Sequence, residues 1–366
     1  MSGERVLVAM SGGVDSSVAA ALLVEAGYDV VGATMKLFCY GDDVPDRPCC
    51  SLDSINDARR VCERLGIPHY VLNLESAFGR DVVSNFVTEY ARGRTPIPCV
   101  RCNTFTKFRD LLRKADAIDA GFIATGHYAR AADGVLLRGL DRSKDQSYFL
   151  WGIDREVVRR MLLPVGALTK RETRERAHAL GLEVVAEKVE SQDICFVPDG
   201  DHTKVLVRHL GGDAPALSPG PIVTVEGNEV GTHAGFARFT IGQRRGLPGG
   251  YAQPMYVVDI RPSDRTVVIG PREALLGRGV VARDINWLVD AVPSVGARVD
   301  VQVRHRAEPA RAELIRVEPD EIELAFDEPV AAITPGQSLV LYEGEQLIGG
   351  GLIERSRRGS LPVLAA

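Results

Sequence analysis

A short apolar run at residues 5–10 breaks at Ser11-Gly12-Gly13-Val14-Asp15-Ser16-Ser17, and an alanine- and leucine-rich stretch, residues 16–26, follows at once. No other feature constrains the fold as strongly. A buried strand that enters a helix through two adjacent glycines lets the backbone approach an anion closely. The helix N-terminus adds unpaired N–H groups and the positive end of its dipole, and the serine hydroxyls add donors. An ordinary serine-capped turn could carry one Gly-Gly pair, but the whole string points to phosphate. The lysine of GxxxxGK[ST] and the spacing of GxGxxG are both missing, so this is neither a Walker loop nor a dinucleotide fingerprint.

The same alternation continues through the first half. Residues 30–37, 69–74 and 122–125 read as strands, and residues 51–65, 81–92 and 103–118 as helices. Thr169-Lys170-Arg171-Glu172 fits a capping box opening a helix that Gly181 closes. That order predicts an α/β fold, a doubly wound parallel-sheet nucleotide-binding domain with helices on both faces. After about Asp199, glycine and proline become frequent and short β-rich runs replace helices: 222–225, 256–260, 266–269, 298–303, 312–317, 321–326, 338–342 and 346–353. Evenly spaced short strands predict one or two small barrels. The expected domains are therefore 1–205, nucleotide-binding and catalytic; 206–272, small and β-rich; and 273–366, a C-terminal β-barrel.

Length and composition bound the function. At about 150 residues per domain, 366 residues make two or three domains. No apolar run reaches the roughly 18 residues of a membrane span, and the first residues do not read as an export signal. Seven cysteines, an odd number, do not make a disulfide framework, so a reducing, cytoplasmic setting is expected. With 44 basic against 49 acidic residues the chain is no general DNA coat. Local basic groups do occur: residues 155–176 carry seven basic side chains against three acids, and Arg238, Arg244 and Arg245, then Arg304, His305 and Arg306, form two more.

Cys99 and Cys102 form a CxxC at a predicted helix N-terminus, where thiol pKa values fall. Cys195 lies far away in sequence. A structural zinc would need a second pair, and neither Cys39 nor Cys49-Cys50 has matching spacing. Those three and Cys62 read as buried or loop cysteines.

At Ser11–Ser17 the sequence resembles the pyrophosphate-loop ATP pyrophosphatases, whose pattern is SGGxDS and which adenylate a carbonyl-type oxygen. That resemblance implies ATP, with Mg²⁺ shielding the pyrophosphate and Asp15 as the metal-side group. Taken with Cys99-x-x-Cys102-Asn103, Ala124-Thr-Gly-His127-Tyr128, Lys144-Asp-Gln-Ser-Tyr-Phe-Leu150, Ser191-Gln-Asp-Ile-Cys195-Phe196, Phe239-Thr-Ile-Gly-Gln-Arg-Arg-Gly-Leu247 and Thr334-Pro-Gly-Gln337, the chain resembles the bacterial tRNA-specific 2-thiouridylases from Val6 to about Gly351.

The resemblance implies replacement of the C2 oxygen of the wobble uridine by sulfur in the tRNAs for Glu, Gln and Lys. ATP activates the oxygen, and a sulfur-donor protein of a cysteine-desulfurase relay supplies the sulfur. By the same resemblance Cys195 carries a persulfide and Cys102 is the nucleophile that helps release its sulfur, leaving a transient Cys102–Cys195 disulfide. Ala9, Met10, Ser11, Gly12, Gly13, Val14, Asp15, Ser16, Met35 and Gly126 correspond to ATP contacts. His127, Lys144, Asp145, Gln146, Arg304, His305 and Gln337 correspond to tRNA contacts. Each has a plainer reading: Met35 as core, His127 as a loop histidine, residues 144–146 as a solvated turn, Arg304 and His305 as an exposed strand edge, Gln337 as a turn residue.

One departure stands out. Many members have Asn-Pro-Asp where this chain has Ile97-Pro98-Cys99. Cys99, Cys102 and Cys195 would then also suit a [4Fe–4S] cluster with one open iron, and sulfide transfer without a persulfide. Two other functions stay open: an amide- or ammonia-ligating enzyme of the argininosuccinate-synthetase type, which needs no cysteine pair, and a non-catalytic RNA-binding protein. No membrane or DNA partner is expected.

Overall fold

The computed structural model of the chain describes residues 3–38, 52–188, 194–197 and 200–358. Two compact units divide it: Met1–Val83, Pro98–Gly200 and Glu345–Ile348 form one, and Ser84–Ile97, Asp201–Gly344 and Gly349–Ala366 the other.

In the first unit β1 (Arg5–Ala9) pairs in parallel with β2 (Asp29–Lys36) on one side and β4 (Phe122–Ala124) on the other. Beyond β2 lies β3 (His69–Asn73), and beyond β4 the short strand Met161–Leu162, both parallel as well. Strand order therefore reverses between β1 and β4. Outside the carboxyl ends of those two strands the connections diverge and leave a crevice, the usual ligand position in an open parallel sheet.

Helix α1 (Val14–Glu25) is buried on nearly every side, since Val14, Ser16, Ser17, Val18, the three alanines and Leu23 all lie inside. Its small side chains let it pack against the sheet, helix Lys170–Ala179 and the segment around Val185 within one core cluster. Burying Val18 and Leu23 contributes about 1.5–3 kcal/mol each. Helix α2 (Leu52–Leu65) is amphipathic and gives Ala58, Val61 and Cys62 to the same core.

Two expected helices are not uniform. Residues 81–92 divide into a π turn at Gly79–Val83 and helix Ser84–Ala91. Residues 103–118 begin earlier, at helix Pro98–Arg101, pass through a π segment at Cys102–Lys107 and continue as helix Phe108–Asp116. Such π turns widen the backbone ladder and often mark functional sites. A hairpin, Ala129–Ala132 with Val135–Arg138, escapes the sequence reading because Ala-Arg-Ala-Ala lacks β-branched residues. Its Asp133-Gly134 turn, with φ of 50° and 75°, did carry the signal.

From Asp201 the second unit continues with a helix, His202–Leu210, where only strands were expected; Asp201 caps it by accepting from the Thr203 N–H. Four strands follow in the order Tyr256–Arg261, Thr266–Gly270, Gly220–Thr224, Glu229–His233. Then comes a closed antiparallel barrel. Its strand Leu276–Trp287 pairs with Glu321–Ala331 on one side and with residues 349–357 on the other. Glycines and charges at Gly277, Arg278, Gly279, Arg283 and Asp284 disrupt alternation and hide this strand in the sequence. Gly279 is needed because a Cβ there would lie 2.7 Å from the Leu324 carbonyl oxygen. Leu314, Ile322, Leu324, Leu339, Leu341 and Ile353 are fully enclosed.

Candidate active site

The loop after β1 is shaped by two glycines that nothing else could replace. Gly12 has φ +68°, and a Cβ on it would sit 2.2 Å from the Ser54 carbonyl oxygen. Gly126, just beyond β4, would place a Cβ 2.5 Å from the Ser16 nitrogen. The end of β4 therefore lies directly against the first turn of α1. Gly13 is extended, with φ −106°, and needs no glycine for conformation. Ser16 Oγ takes the Ser11 N–H at 3.1 Å and donates to the Gly13 carbonyl, and Ser17 Oγ donates to that carbonyl at 2.9 Å. Two of the loop's hydroxyls thus hold its shape as well as offering contacts.

Asp15, in the first turn of α1, receives Lys170 Nζ on both carboxylate oxygens, at 2.7 and 2.9 Å, and the Tyr128 hydroxyl at 2.8 Å. The same hydroxyl is 3.0 Å from Thr173 Oγ1. Lys170 is the first residue of a helix whose capping box is fully formed, Thr169 and Glu172 exchanging hydrogen bonds. The cap sets where the lysine stands, and the lysine neutralises the one carboxylate at an anion-binding terminus. Lys188 donates to the Gly12 carbonyl at 3.1 Å and to Asp57 at 2.8 Å. Lysine thus reaches this loop from segments distant in sequence rather than from a Walker position. The sequence held no local signal for either side chain.

A cavity of about 340 Å³ opens on this loop. Ala9, Met10, Ser11, Asp15 and Ser16 line one wall, Met35 and Leu37 continue it from the end of β2, and Thr125, Gly126 and His127 close it after β4. Cys99, Cys102, Asn103 and Lys107 line the same cavity, as do Gln146, Phe149 and Cys195. Most of the ATP set expected from the sequence therefore meets the two key cysteines in one space; Gly12, Gly13 and Val14 shape the loop behind it. Phe196 stacks edge-on against buried Phe78, centroids 5.5 Å apart, and so anchors Cys195 to the wall. Ser191, Gln192 and Asp193 of that motif lie outside the described residues, as do Cys39, Cys49 and Cys50.

Cys99, Cys102 and Cys195 stand as thiols, exposed, buried and intermediate in that order. Cys102 is not at a helix N-terminus as expected but one turn in, at the start of the π segment. Among the described residues no three His, Cys, Asp or Glu side chains converge as metal ligands do. The iron–sulfur expectation therefore finds no ligand set in this geometry. Asp15 is a single carboxylate beside a phosphate-type loop, which fits Mg²⁺ brought in on nucleotide phosphates. Cys62 is core, and burial pushes its thiol up to about 12, so it is inert.

His127 Nδ1 lies 2.7 Å from Thr125 Oγ1, and burial, with Lys107 adding to it, holds the imidazole well below the ordinary histidine value. It is neutral at neutral pH and offers a hydrogen-bonding group rather than a charge. Asn103 is 2% exposed; its Nδ2 donates to the Phe149 carbonyl at 3.1 Å, and its Oδ1 has no partner. An unpaired buried acceptor costs about 1–3 kcal/mol. Asn103 entered the sequence reading only as the last residue of the Cys99-x-x-Cys102-Asn103 motif, with no role, and Lys107 not at all, because polar residues inside a helical run look like its solvated face.

The remaining expected contacts differ in kind. The Asp145 carboxylate is enclosed and accepts from Arg138, the Gly139 and Ser147 N–H groups and the Ser147 hydroxyl, a knot that orders the loop. Gln146 accepts the Tyr128 N–H and lines the cavity, and Lys144 is half-buried. In the second unit Arg304 is exposed and donates to the Ala332 carbonyl, His305 is half-buried, and Gln337 donates to the Thr95 carbonyl at 2.9 Å. The basic stretch at residues 155–176 is not one patch. Lys170 turns to Asp15, and Arg160 is tied to Asp116, Ala120 and Gly121.

Comparison with known proteins matches the chain in three stretches. Residues 4–199 match the family described as the tRNA methyl transferase HUP domain, 204–271 its PRC-barrel domain, and 277–353 an aminomethyltransferase beta-barrel domain. The tRNA-specific 2-thiouridylase MnmA of Carboxydothermus hydrogenoformans is 47% identical, over 96% of this chain and 98% of that protein. Proteins of the same name from Rickettsia felis and Geobacter metallireducens are 45% and 46% identical, over 97% and 96% of this chain and 98% and 97% of theirs.

Proposed function

The chain belongs to the tRNA-specific 2-thiouridylase family of tRNA-modifying transferases, and on that premise we propose that it replaces the C2 oxygen of the wobble uridine with sulfur, consuming one ATP. The observation that carries this reading is the single cavity that holds the phosphate-type loop together with Cys102 and Cys195. An amide ligase needs the loop alone, and an RNA-binding protein needs neither.

The uridine O2 attacks the α-phosphorus of ATP, and pyrophosphate leaves. The α1 N-terminus and Lys170 stabilise the departing charge; Asp15 would hold Mg²⁺ carried by the nucleotide, which would shield the pyrophosphate. The sulfur donor, a protein persulfide of a cysteine-desulfurase relay, first loads Cys195. The terminal sulfur of that persulfide attacks C2 and expels AMP. Cys102 thiolate then attacks the Cys195 sulfur, freeing 2-thiouridine and leaving a Cys102–Cys195 disulfide, which a thiol reductant resets with two electrons. Because the wobble base is single-stranded, it can be splayed into the cavity. His127, Lys144, Asp145 and Gln146 serve the RNA from the first unit, with Asp145 acting through the loop it orders. Arg304, His305 and Gln337 serve it from the second. The substrates are the tRNAs for Glu, Gln and Lys, in the cytoplasm. Among the described residues no helix is long and apolar enough to cross a membrane. The division at residues 1–205, 206–272 and 273–366 belongs to the same reading: ATP and thiol chemistry in the first part, RNA grip in the β-rich remainder.

Cys195→Ser tests it. Thiouridine formation on unmodified tRNA should fall to background while the protein stays folded and tRNA-dependent AMP formation persists. A normal thiouridine yield would remove the sulfur-transfer reading.

A further inference from the structure

Asn103 is the buried polar group that the reaction above leaves unused. It follows Cys102 directly in the π segment and lines the cavity beside Phe149. Its amide has one possible orientation. With Nδ2 toward the Phe149 carbonyl it donates a hydrogen bond; turned over, it would set oxygen against oxygen. The free end is therefore Oδ1, an acceptor with no partner in a side chain only 2% exposed.

An isolated acceptor selects a donor. Uracil carries one N–H donor on its pairing edge, at N3, whereas N3 of cytosine is an acceptor. N3 adjoins C2, so an acceptor on N3 holds the reacting oxygen next to the segment that carries Cys102. The adenine amino group of ATP is the competing donor, but the elements that face the nucleotide are the ends of β1, β2 and β4. Asn103 instead follows Cys102 in the π segment, outside those strand ends. We propose that Asn103 Oδ1 accepts the N3–H of the target uridine and that this contact rejects cytidine. The inference rests on the thiouridylase reading and names the atom that selects the base.

The test uses the full-length protein and an anticodon stem-loop RNA bearing uridine, cytidine or 3-methyluridine at the target position, with affinity measured without ATP. Wild type should bind the uridine RNA roughly 10- to 100-fold tighter than the other two, the usual effect of stranding a buried polar group. Asn103→Leu and Asn103→Ala should bind all three about equally, with the KM for ATP unchanged. Wild type that does not distinguish uridine from cytidine overturns the proposal without any variant needing to fold. Variants that keep the preference, or that raise the KM for ATP, overturn it too. Thiouridine formation by wild type on the uridine RNA is assayed in parallel with a persulfide donor. Its absence would sink the thiolation reading, whereas its presence beside unselective binding would sink only the role of Asn103.

Discussion

Single side chains at this site are set by what surrounds them rather than by their type. His127 shows this best. Its imidazole sits in the cavity wall against Thr125, and burial, with Lys107 near, keeps it neutral. The unfolded histidine titrates near 6.5 and the folded one well below, so between those values the unfolded chain binds the extra proton. Its contribution to stability is thus intact above about pH 6.5 and is lost as pH falls toward the folded value. His127→Gln should show a smaller drop in melting temperature between pH 7 and pH 5 than wild type; His69 and His233, also lowered by burial, account for part of the remainder. Identical pH profiles for the two proteins would show that His127 does not titrate in this way. The sequence gives His127 a motif, Thr-Gly-His-Tyr, but not a protonation state, because that depends on Lys107 and Phe108 from another element.

Among the elements, the helix Lys170–Ala179 does the most that its sequence does not announce. Its capping box was legible, since Thr and Glu at that spacing satisfy each other's backbone whatever lies around them. That its first residue meets Asp15, more than a hundred positions earlier, was not. Thr169→Ala should cost about 1 kcal/mol, lowering the melting temperature by roughly 2–4 °C for a unit of this size. It should also slow tRNA-dependent AMP formation by loosening Lys170. Calorimetry and an AMP assay read the two effects separately; an unchanged melting temperature would mean the cap contributes nothing to the fold. The π segment at Cys102–Lys107 was illegible for a related reason. Helical periodicity predicts an even turn, and only packing shows where an extra residue is accommodated.

For the whole molecule, a net charge of −5 leaves RNA binding to local groups. Arg238, Arg244, Arg245, Arg304 and Arg306 in the second unit are exposed and Lys144 in the first is half-buried, and these are among the cations of the described residues that phosphates would meet. tRNA affinity should fall as salt rises, with a linear log–log dependence, and Arg304→Ala should reduce the slope by about one. Titrations at several salt concentrations check this, and a salt-independent affinity would contradict the footprint. The parallel-sheet half, the capping box, the β-rich second half and the resemblance to the thiouridylases all follow from local pattern and motif, because period, glycine placement and caps are properties of neighbouring residues. What the tertiary structure alone decided involves residues far apart in the chain. It brought Cys195 into the wall that holds Cys102, set Lys170 on Asp15, enclosed Asp145 as a loop tie, and left the three cysteines without a metal-binding convergence among the described residues. Such outcomes depend on which distant surfaces pack together, and a linear pattern carries no record of side-chain direction once the chain has turned back on itself.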